Sequence, residues 1–339
     1  MTSDTTTTTI NPLDLPICTT CGTQFSTPTP PTPCPICDDP RQYLPPTGQD
    51  YTTLRALRAP THEPQLKNIL APLNPNSTTT TTTTTSNKIY TLHTTPKHCI
   101  GQRAFLLLTP HGNILWDCIP YLDTETITNI NALGGISAII ISHPHYYATH
   151  LVWAEAFNCP VYLSSEDREW VMRKEDSGKQ RQIFWDGQEV EVLPGSGVIG
   201  VKTGGHFPGS SVLWWKDEKV MFLADTIGTI PSGVGDYGDR GRREGTASYT
   251  FMWSYPNMIP LPPDDVHGIW KALKHTEFDR AYGAFMGMDT VGDCKKRVLD
   301  SAKIFVRAMG TYCMVFIGAS ASASALAPAS SAPDSPVEE

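Results

Sequence analysis

Two histidines separated by a single residue, His143 and His145, belong to a set of side chains whose types and spacing indicate metal chemistry. A third imidazole, His206, lies in a glycine-rich segment, and Asp225 adds a carboxylate. Imidazole and carboxylate are ligands of divalent transition metals. Three imidazoles that leave one coordination position open allow an ion to activate water and to polarise a carbonyl or phosphoryl group. The sequence therefore predicts a site for metal-assisted hydrolysis.

These residues follow segments that the sequence predicts as strands or sharp turns. Residues 137–141 form an apolar strand that ends shortly before His143. Side chains two apart in an extended segment point the same way, and Pro144 is expected to keep this piece extended outside the sheet. Two glycines before His206 allow a close approach of the backbone, and Asp225 stands at the end of another predicted strand. We therefore expect the four side chains to converge.

Four of the nine cysteines form two CxxC pairs, Cys18 with Cys21 and Cys34 with Cys37, separated by twelve residues. Each pair can close a tight turn around one face of a tetrahedral ion, and zinc takes four thiolates at about 2.3 Å. We predict a structural zinc knuckle here. A chance pairing of reduced cysteines and a redox CxxC stay open as alternatives, although no βαβ pattern surrounds either pair. Whether the knuckle is only a staple, binds a partner or docks on the main domain also stays open.

From residue 88 onwards, predicted strands alternate with predicted helices. A β-hairpin is predicted from the apolar runs at 104–108 and 114–116. Further strands are predicted at 137–141, 160–163, 189–193, 198–202, 211–215, 220–223 and 280–285. Helices are predicted at 124–133, 149–157, 166–173, 266–273 and 295–308. Strands alternating with helices in both halves predict two sheets covered on the outside by helices.

The order of these features resembles the metallo-β-lactamase superfamily: a hairpin, a strand, the HxH pair, the sequence GGHFPGS around His206 and FLADT around Asp225. The resemblance covers about residues 88–308. It implies an α/β (α+β) fold, a four-layer αββα sandwich, here preceded by a small zinc-knuckle segment. Residues 252–261 resemble an uncharacterised branch of the superfamily.

The chain departs from the superfamily pattern at the ligands of a second metal ion. The family motif runs HxHxDH, and here Tyr147 and Ala148 replace its aspartate and its last histidine. Residues 280–286, where the family has a final histidine after a late strand, contain none. The resemblance implies that the three histidines named above hold the first ion and that Asp225, which normally bridges two ions, is kept. It therefore implies a mononuclear zinc site.

The composition of the chain predicts disordered ends, a knuckle segment and a main domain. Residues 1–15 and 319–339 are expected to be disordered, because they carry too little apolar area to offset the entropy of ordering them. Residues 16–50 form the predicted knuckle and residues 51–318 the main domain. Within that domain, residues 74–87 are expected to be a disordered threonine-rich loop.

Charge and hydropathy limit the classes of partner. The net charge is −8 without a dense basic stretch, which argues against nucleic-acid binding. No apolar run approaches the ~20 residues of a membrane span, and the threonine-rich start does not resemble a secretory signal. We therefore expect a cytoplasmic protein that acts on a small molecule, and the oligomeric state is not predicted.

We expect a metal-dependent hydrolase of a small ester, lactone or thioester, with Asp225 and Tyr147 as catalytic residues. Asp225 could orient water or take its proton. The Tyr147 hydroxyl could point at the same water, although a buried tyrosine more often fills the core. An aromatic rim from Tyr146, Tyr147, Trp253 and Tyr255 would suit an organic substrate better than a polyanion. The loss of the second ion disfavours two-metal phosphodiester cleavage.

Three alternatives stay open. The chain could be a non-catalytic member that binds a ligand or a partner, because fold does not fix function. An iron-dependent oxidoreductase is the least favoured of the alternative functions, since the ligand set does not favour iron over zinc. His150, two residues beyond the missing histidine, could replace it as a ligand, although a structural role for it is more common.

Overall fold

The computed structural model of the protein describes residues 10–73, 88–175 and 178–310. The predicted loop at 74–87 and the predicted tail at 319–339 lie outside these residues, as do residues 1–9 of the predicted disordered start. The remainder of that start is ordered. Pro12–Asp14 form a 3-10 helix, capped by Asn11 through a hydrogen bond from the Leu13 amide, and Leu15 is buried. The prediction of disorder is therefore wrong for residues 12–15.

The strands of the described residues follow one another along nearly the whole chain. In chain order they are β1 (Ile17–Cys18), β2 (Tyr51–Thr52), β3 (Lys67–Pro72), β4 (Ile89–Thr95), β5 (Ala104–Thr109), β6 (Gly112–Trp116), β7 (Ala138–Ile140), β8 (Val161–Ser164), β9 (Gln182–Trp185), β10 (Glu189–Glu191), β11 (Val198–Lys202), β12 (Ser211–Trp215), β13 (Val220–Phe222), β14 (Gly228–Thr229), β15 (Tyr249–Thr250), β16 (Met252–Ser254), β17 (Ile259–Pro260), β18 (Arg280–Tyr282) and β19 (Asp289–Val291).

The α-helices of the described residues stand between these strands. They are α1 (Leu54–Leu57), α2 (Thr124–Ala132), α3 (His150–Phe157), α4 (Pro231–Val234), α5 (Pro263–Leu273) and α6 (Cys294–Ala308). Asp123 caps α2 by accepting a hydrogen bond from the Thr126 amide at 2.7 Å, as an acidic N-cap should. The predicted helix at 166–173 is instead a 3-10 helix over Ser165–Trp170.

One sheet contains seven strands in the order β3-β4-β5-β6-β7-β8-β9. Its pairs are antiparallel from β3 to β6 and parallel from β6 to β9. The predicted hairpin is β5 with β6, in which Phe105 pairs with Trp116. The short strand β7, which ends just before His143, lies between β6 and β8 and is buried along its whole length.

A second sheet contains six strands in the order β10-β11-β12-β13-β18-β19. Strand β12 shows how its two faces are used. Leu213 and Trp215 join one hydrophobic core, whereas Val212 and Trp214 join another that includes residues of α5 and α6. Alternate side chains of a strand point to opposite faces, so the sheet is buried on both sides at β12.

The two sheets face each other across the first of these cores. The ring of Phe105 in β5 lies 4.9 Å from that of Phe222 in β13, centroid to centroid. Helices α2 and α3 pack against the seven-stranded sheet, and α5 packs against β11 of the other sheet. The molecule is therefore the four-layer αββα sandwich that the resemblance implies. Among the described residues, no helix has the length and apolar character needed to cross a membrane.

Candidate metal centre and active-site pocket

Three buried histidines and one partly buried aspartate meet where the segments after β7, β11 and β13 come together. His143, His145, His206 and Asp225 each offer a ligand atom, and these atoms all lie within 4.8 Å of one another. His206 Nε2 is 3.1 Å from His145 Nδ1. Asp225 Oδ2 is 3.4 Å from His143 Nε2, 3.9 Å from His145 Nδ1 and 3.8 Å from His206 Nε2. The predicted convergence of the four residues is observed.

The spacing of these atoms fits a single tetrahedral ion. A zinc ion with bonds of about 2.0–2.1 Å to nitrogen has ligand atoms about 3.3–3.4 Å apart, close to the observed 3.1–3.9 Å. His143 Nε2 is buried and has no hydrogen-bond partner in the described structure. A buried polar atom without a partner costs about 1–3 kcal/mol, and an ion at this place would satisfy it. The residues present therefore fit a divalent metal.

Hydrogen bonds on the far side of the ligands hold them in the orientation that a metal requires. His206 Nδ1 faces the Met252 carbonyl at 3.2 Å, and His143 Nδ1 faces Ser142 Oγ at 2.8 Å. A carbonyl can only accept, so Nδ1 of His206 carries the proton and leaves Nε2 free. Such outer partners orient metal-binding histidines in known sites.

Electrostatics keep the ligands in the ionisation states that bind a cation. Burial lowers the pKa of His145 to about 4, although the nearby Asp225 acts to raise it. Burial also holds the pKa of His206 well below its ordinary value. Burial alone would raise the pKa of Asp225, but the neighbouring histidines outweigh it and hold that pKa well below the usual range. At neutral pH His145 and His206 are thus unprotonated and Asp225 is ionised, which are the states that metal binding needs.

The segment that carries the HxH pair differs from the prediction. Pro144–Tyr146 form a 3-10 helix rather than the extended piece that we expected. Proline suits the first position of a helical turn, where its fixed φ fits and no N–H is required. The two histidine rings still come together, with centroids 5.2 Å apart. The start of this turn is held by buried Asp117, which accepts a hydrogen bond from the Ser142 amide at 2.8 Å.

The tight turn changes which tyrosine reaches the site. The hydroxyl of Tyr146 donates a hydrogen bond of 2.5 Å to Asp225 Oδ1. The hydroxyl of Tyr147 is buried without a hydrogen-bond partner among the described residues, and its ring lies 5.9 Å from that of His150. Tyr147 does not line the pocket described below. The structure therefore places Tyr146, which the sequence predicts only as part of an aromatic rim, in contact with Asp225, and it does not place Tyr147 there.

His150 does not belong to the metal centre. Its Nδ1 lies 2.9 Å from the Tyr147 carbonyl oxygen, and its Nε2 lies 2.8 Å from Gln182 Nε2. Both ring nitrogens therefore have protein partners, and His150 is absent from the ligand cluster. Its replacement of the missing family histidine is not supported by this placement.

The four cysteines of the predicted knuckle form a second cluster that could hold an ion. Their sulfur atoms all lie within 4.8 Å of one another, with Cys18 and Cys37 at 3.6 Å and Cys21 and Cys34 at 3.8 Å. A tetrahedral zinc ion with sulfur ligands at about 2.3 Å has sulfur atoms about 3.8 Å apart. Gln49 Nε2 also donates to Cys18 Sγ at 3.0 Å, a contact that favours the thiolate form.

The knuckle docks on the active face through residues 40–43, which we call the strap. The guanidinium of Arg41 is held by both carboxylate oxygens of Asp39, at 2.6 and 2.9 Å. It also donates to the His206 carbonyl at 3.3 Å and lies 3.7 Å above the ring of Phe207. Arg41 is only 9% exposed. The knuckle therefore contacts the loop that carries a metal ligand, a question that the sequence left open.

A pocket of about 370 Å³ opens beside the metal centre. It is lined by His145, His206 and Asp225, by Thr20 and the strap residues 41–43, and otherwise mostly by apolar side chains. Of the four aromatic residues expected at the rim, only Tyr255 lines this pocket. Gly283, Ala284 and Phe285 also line it, after β18, where the family would have its final histidine. They provide no side-chain ligand for a second ion.

The model of the metallo-beta-lactamase superfamily matches residues 100–275. The chain belongs to that superfamily. It is 40% identical over 273 residues, 79% of its own length and 88% of the relative's, to the uncharacterized protein YmaE of Bacillus subtilis strain 168. In this metallo-β-lactamase superfamily member, the three histidines and Asp225 lie together as one cluster of possible ligands.

The chain is also similar, at low sequence identity, to solved structures of metallo-β-lactamases. The DIM-1 metallo-β-lactamase gives a TM-score of 0.47 at 11% identity over 71% of this chain and 98% of its own. The FIM-1 metallo-β-lactamase from Pseudomonas aeruginosa, in its mono-zinc form, gives 0.44 at 11% identity over 70% and 95%.

Proposed function

We propose that the protein is a mononuclear metal-dependent hydrolase of a small ester, lactone or thioester. The observation that carries this proposal is the set of four ligand atoms within 4.8 Å of one another at the wall of a pocket. The proposal places one zinc ion at this centre and a second, structural zinc ion at the knuckle. With the three imidazoles as its ligands, the zinc ion would keep its fourth position open, and Asp225 would stand beside that position as the base. An ion in such a site polarises a carbonyl and lowers the pKa of water to about 7.

The protein's own residues would do the remaining work. Asp225 directs Oδ2 towards the three histidines while Tyr146 holds Oδ1, so the carboxylate has a fixed orientation from which it can accept a proton from water. The mostly apolar pocket walls would exclude bulk water and bind the organic part of a substrate. A bound ion, Asp225 as the base and the apolar pocket walls would together supply the groups needed to hydrolyse an activated carbonyl.

Metal content and turnover test the proposal together. We expect two zinc ions per wild-type chain, one after His143→Ala with His206→Ala, and one after Cys18→Ser with Cys21→Ser, all by elemental analysis. We also expect the wild type to hydrolyse at least one of p-nitrophenyl acetate, a simple γ-lactone and an acyl thioester, and His145→Ala to abolish this. Equal zinc content in the wild type and the histidine double variant would refute the proposed centre.

A second candidate function is binding of a ligand or partner without catalysis. The observation that favours it is the absence of side-chain ligands for a second ion at Tyr147, Ala148 and residues 283–285. This candidate predicts zinc at the histidine centre but no turnover of any of the three probes. Turnover that is lost in His145→Ala would exclude it.

A further inference from the structure

Tyr255 presents an unused hydroxyl at the metal centre. The residue follows β16, lines the pocket with His206 and Asp225, and places its ring 6.2 Å from that of His206. Its hydroxyl oxygen is buried and has no hydrogen-bond partner in the described parts of the chain. Buried hydroxyls are nearly always paired, and one that is not calls for an explanation.

The neighbouring backbone leaves room for this hydroxyl. Gly228, in β14, also lines the pocket, and a Cβ atom at this position would lie 2.1 Å from the Tyr255 hydroxyl oxygen. The φ of Gly228 is not in the left-handed region that favours glycine. The space occupied by the hydroxyl, and not backbone conformation, is therefore what excludes a side chain at Gly228.

The loop that carries Tyr255 is fixed against the strap. Ser254 Oγ donates to the Arg41 carbonyl at 3.1 Å. Asn257 Nδ2 donates to the carbonyls of Pro40 and Gln42 at 2.9 and 3.0 Å. Residues just before and just after Tyr255 are thus fixed by hydrogen bonds, while its hydroxyl has no partner in the described structure. This arrangement is expected of a side chain that is positioned to bind a ligand.

The hydroxyl of Tyr255 has a proton to donate and no acceptor for it among the described residues. One oxygen of the carboxylate in the same pocket, Asp225 Oδ1, already accepts a hydrogen bond from Tyr146. The Tyr255 hydroxyl therefore remains free to donate a hydrogen bond to a molecule in the pocket.

We propose that Tyr255 is a catalytic residue that donates a hydrogen bond to the carbonyl oxygen of the substrate as negative charge develops on it. This inference rests on the proposed hydrolytic function. The oxygen of water adds to the carbonyl carbon, its proton passes to Asp225, and the C=O π pair moves to the oxygen that Tyr255 contacts. When the carbonyl re-forms, the bond to the alkoxide or thiolate breaks and the leaving group takes the proton from Asp225.

This donor would supply part of the charge stabilisation that a second ion gives elsewhere. The structure offers no side-chain ligands for such an ion at residues 283–285, and the Tyr255 hydroxyl lies at the same pocket. Removing one hydrogen-bond donor of an oxyanion site lowers kcat by about 10²–10³-fold.

The test compares zinc-loaded wild type with Tyr255→Phe and Gly228→Ala, with p-nitrophenyl acetate as the substrate probe. For Tyr255→Phe we expect a kcat about 100-fold lower, a KM within about twofold, the same zinc content and a Tm that is equal or higher. Gly228→Ala keeps the phenol but displaces it, so its kcat should fall similarly. A kcat within about twofold of wild type in Tyr255→Phe would overturn the inference.

Tyr249→Phe is the matched control, because its buried hydroxyl is paired with Thr290 Oγ1 at 2.7 Å and lies outside the pocket lining. We expect this variant to lose a few degrees of Tm and keep the wild-type kcat. A merely structural role for Tyr255 predicts the same pattern in Tyr255→Phe, so that pattern would also refute the inference.

A binding measurement separates failure of this inference from failure of the proposed function. Phenylphosphonate mimics a tetrahedral oxyanion, and calorimetry can measure its binding to zinc-loaded protein. We expect Tyr255→Phe to bind it at least about tenfold more weakly than wild type, because the variant lacks one hydrogen bond to a charged group. This readout needs no turnover. Equal affinity of the two proteins, or no binding to wild type, would count against Tyr255 whether or not any ester is hydrolysed.

Discussion

At the scale of single residues, the Tyr146 hydroxyl fixes the orientation of the Asp225 carboxylate through a 2.5 Å hydrogen bond. Loss of an outer hydrogen bond of this kind lowers metal affinity about 10–100-fold in known sites. We therefore predict that Tyr146→Phe weakens zinc binding at the histidine centre by about tenfold or more, as measured by competition with a chelator.

Tyr147→Phe is the control for this prediction, because the Tyr147 hydroxyl has no hydrogen-bond partner in the described structure. It should leave the zinc affinity unchanged. If Tyr147→Phe weakened zinc binding while Tyr146→Phe did not, the assignment of the two tyrosines would be reversed and the original expectation for Tyr147 would stand.

His150 should make the stability of the fold depend on pH. Burial lowers its pKa to about 4 from an unfolded value of 6.5. Between these values the unfolded state binds more protons, so the free energy of unfolding rises with pH. The contribution of neutral His150 is fully present above about pH 6.5, and on the order of 3 kcal/mol of it is lost as pH falls to 4.

Urea unfolding of wild type and His150→Gln at several pH values checks this prediction. Acid also releases metal from both proteins, so the informative quantity is the difference between their free energies of unfolding. That difference should be constant above pH 6.5 and should shift by a few kcal/mol in favour of the variant towards pH 4. A difference independent of pH would show that His150 is not the titrating group.

Residue types and spacing were enough to predict which four side chains converge, but not the hydrogen bonds around them. The HxH pair, the glycine-flanked His206 and the strand-ending Asp225 are visible in the sequence because metal ligands are few in kind. Tyr146 was missed because Pro144 was taken to extend the chain, whereas it begins a 3-10 turn. In such a turn the neighbouring tyrosines point in different directions. Because the backbone was expected to be extended, the contact with the site was predicted for Tyr147 instead of Tyr146.

At the scale of elements, the strap joins the knuckle to the metal-binding loop through a buried ion pair. Arg41 and Asp39 are each only 10% exposed in their side chains, and the guanidinium also covers Phe207. Removing one partner of a buried pair costs about 3–5 kcal/mol, because the other charge stays buried. We predict that Arg41→Ala lowers the free energy of unfolding by about 3 kcal/mol, measured in urea.

Arg55→Ala provides the comparison, since Arg55 pairs with Asp14 at the surface with 58% and 42% of the side chains exposed. Exposed pairs contribute little, so this variant should unfold at almost the wild-type urea concentration. Similar losses in the two variants would mean that the strap contact has no special role in stability.

The elements that the sequence predicted least well are those with one exposed face. Strands β3 and β4 were not predicted, although they pair along six residues. Strand β3 lies at the edge of its sheet and only Asn68 in it is fully buried, so it lacks the apolar signal that marked β7 or β12. The knuckle's contact with the active face was also unpredictable, since it depends on residues distant in sequence such as Arg41 and His206.

At the scale of the whole molecule, the knuckle has its own small core and also forms part of the wall of the pocket. Its core consists of the four cysteines with Phe25 and Ile36, too few apolar residues to fold without a metal. It contacts the main domain through the Gln24 amide, which donates to the Ala148 carbonyl at 3.2 Å, and through the strap. Metal at the knuckle should therefore control the shape of the pocket.

The Cys18→Ser, Cys21→Ser double variant tests this dependence. Without its metal the knuckle should unfold locally, which would remove Thr20 and the strap from the pocket while the two sheets stay folded. We predict one zinc ion per chain, at the histidine centre, and phenylphosphonate binding at least about tenfold weaker than in wild type, because a wall of the pocket and the anchor of the Tyr255 loop are lost together. Hydrogen exchange should increase in residues 16–50 and around Tyr255 but not in β5 or β13.

The knuckle should not depend in turn on the histidine centre, because the two clusters of possible metal ligands share no residue. The His143→Ala, His206→Ala double variant should therefore keep the knuckle zinc and its low hydrogen exchange in residues 16–50. If loss of the knuckle metal left phenylphosphonate affinity and exchange around Tyr255 unchanged, the knuckle would be a separate staple. The pocket would then be built by the sandwich alone, and the contacts of Arg41 and Asn257 would be dispensable for it.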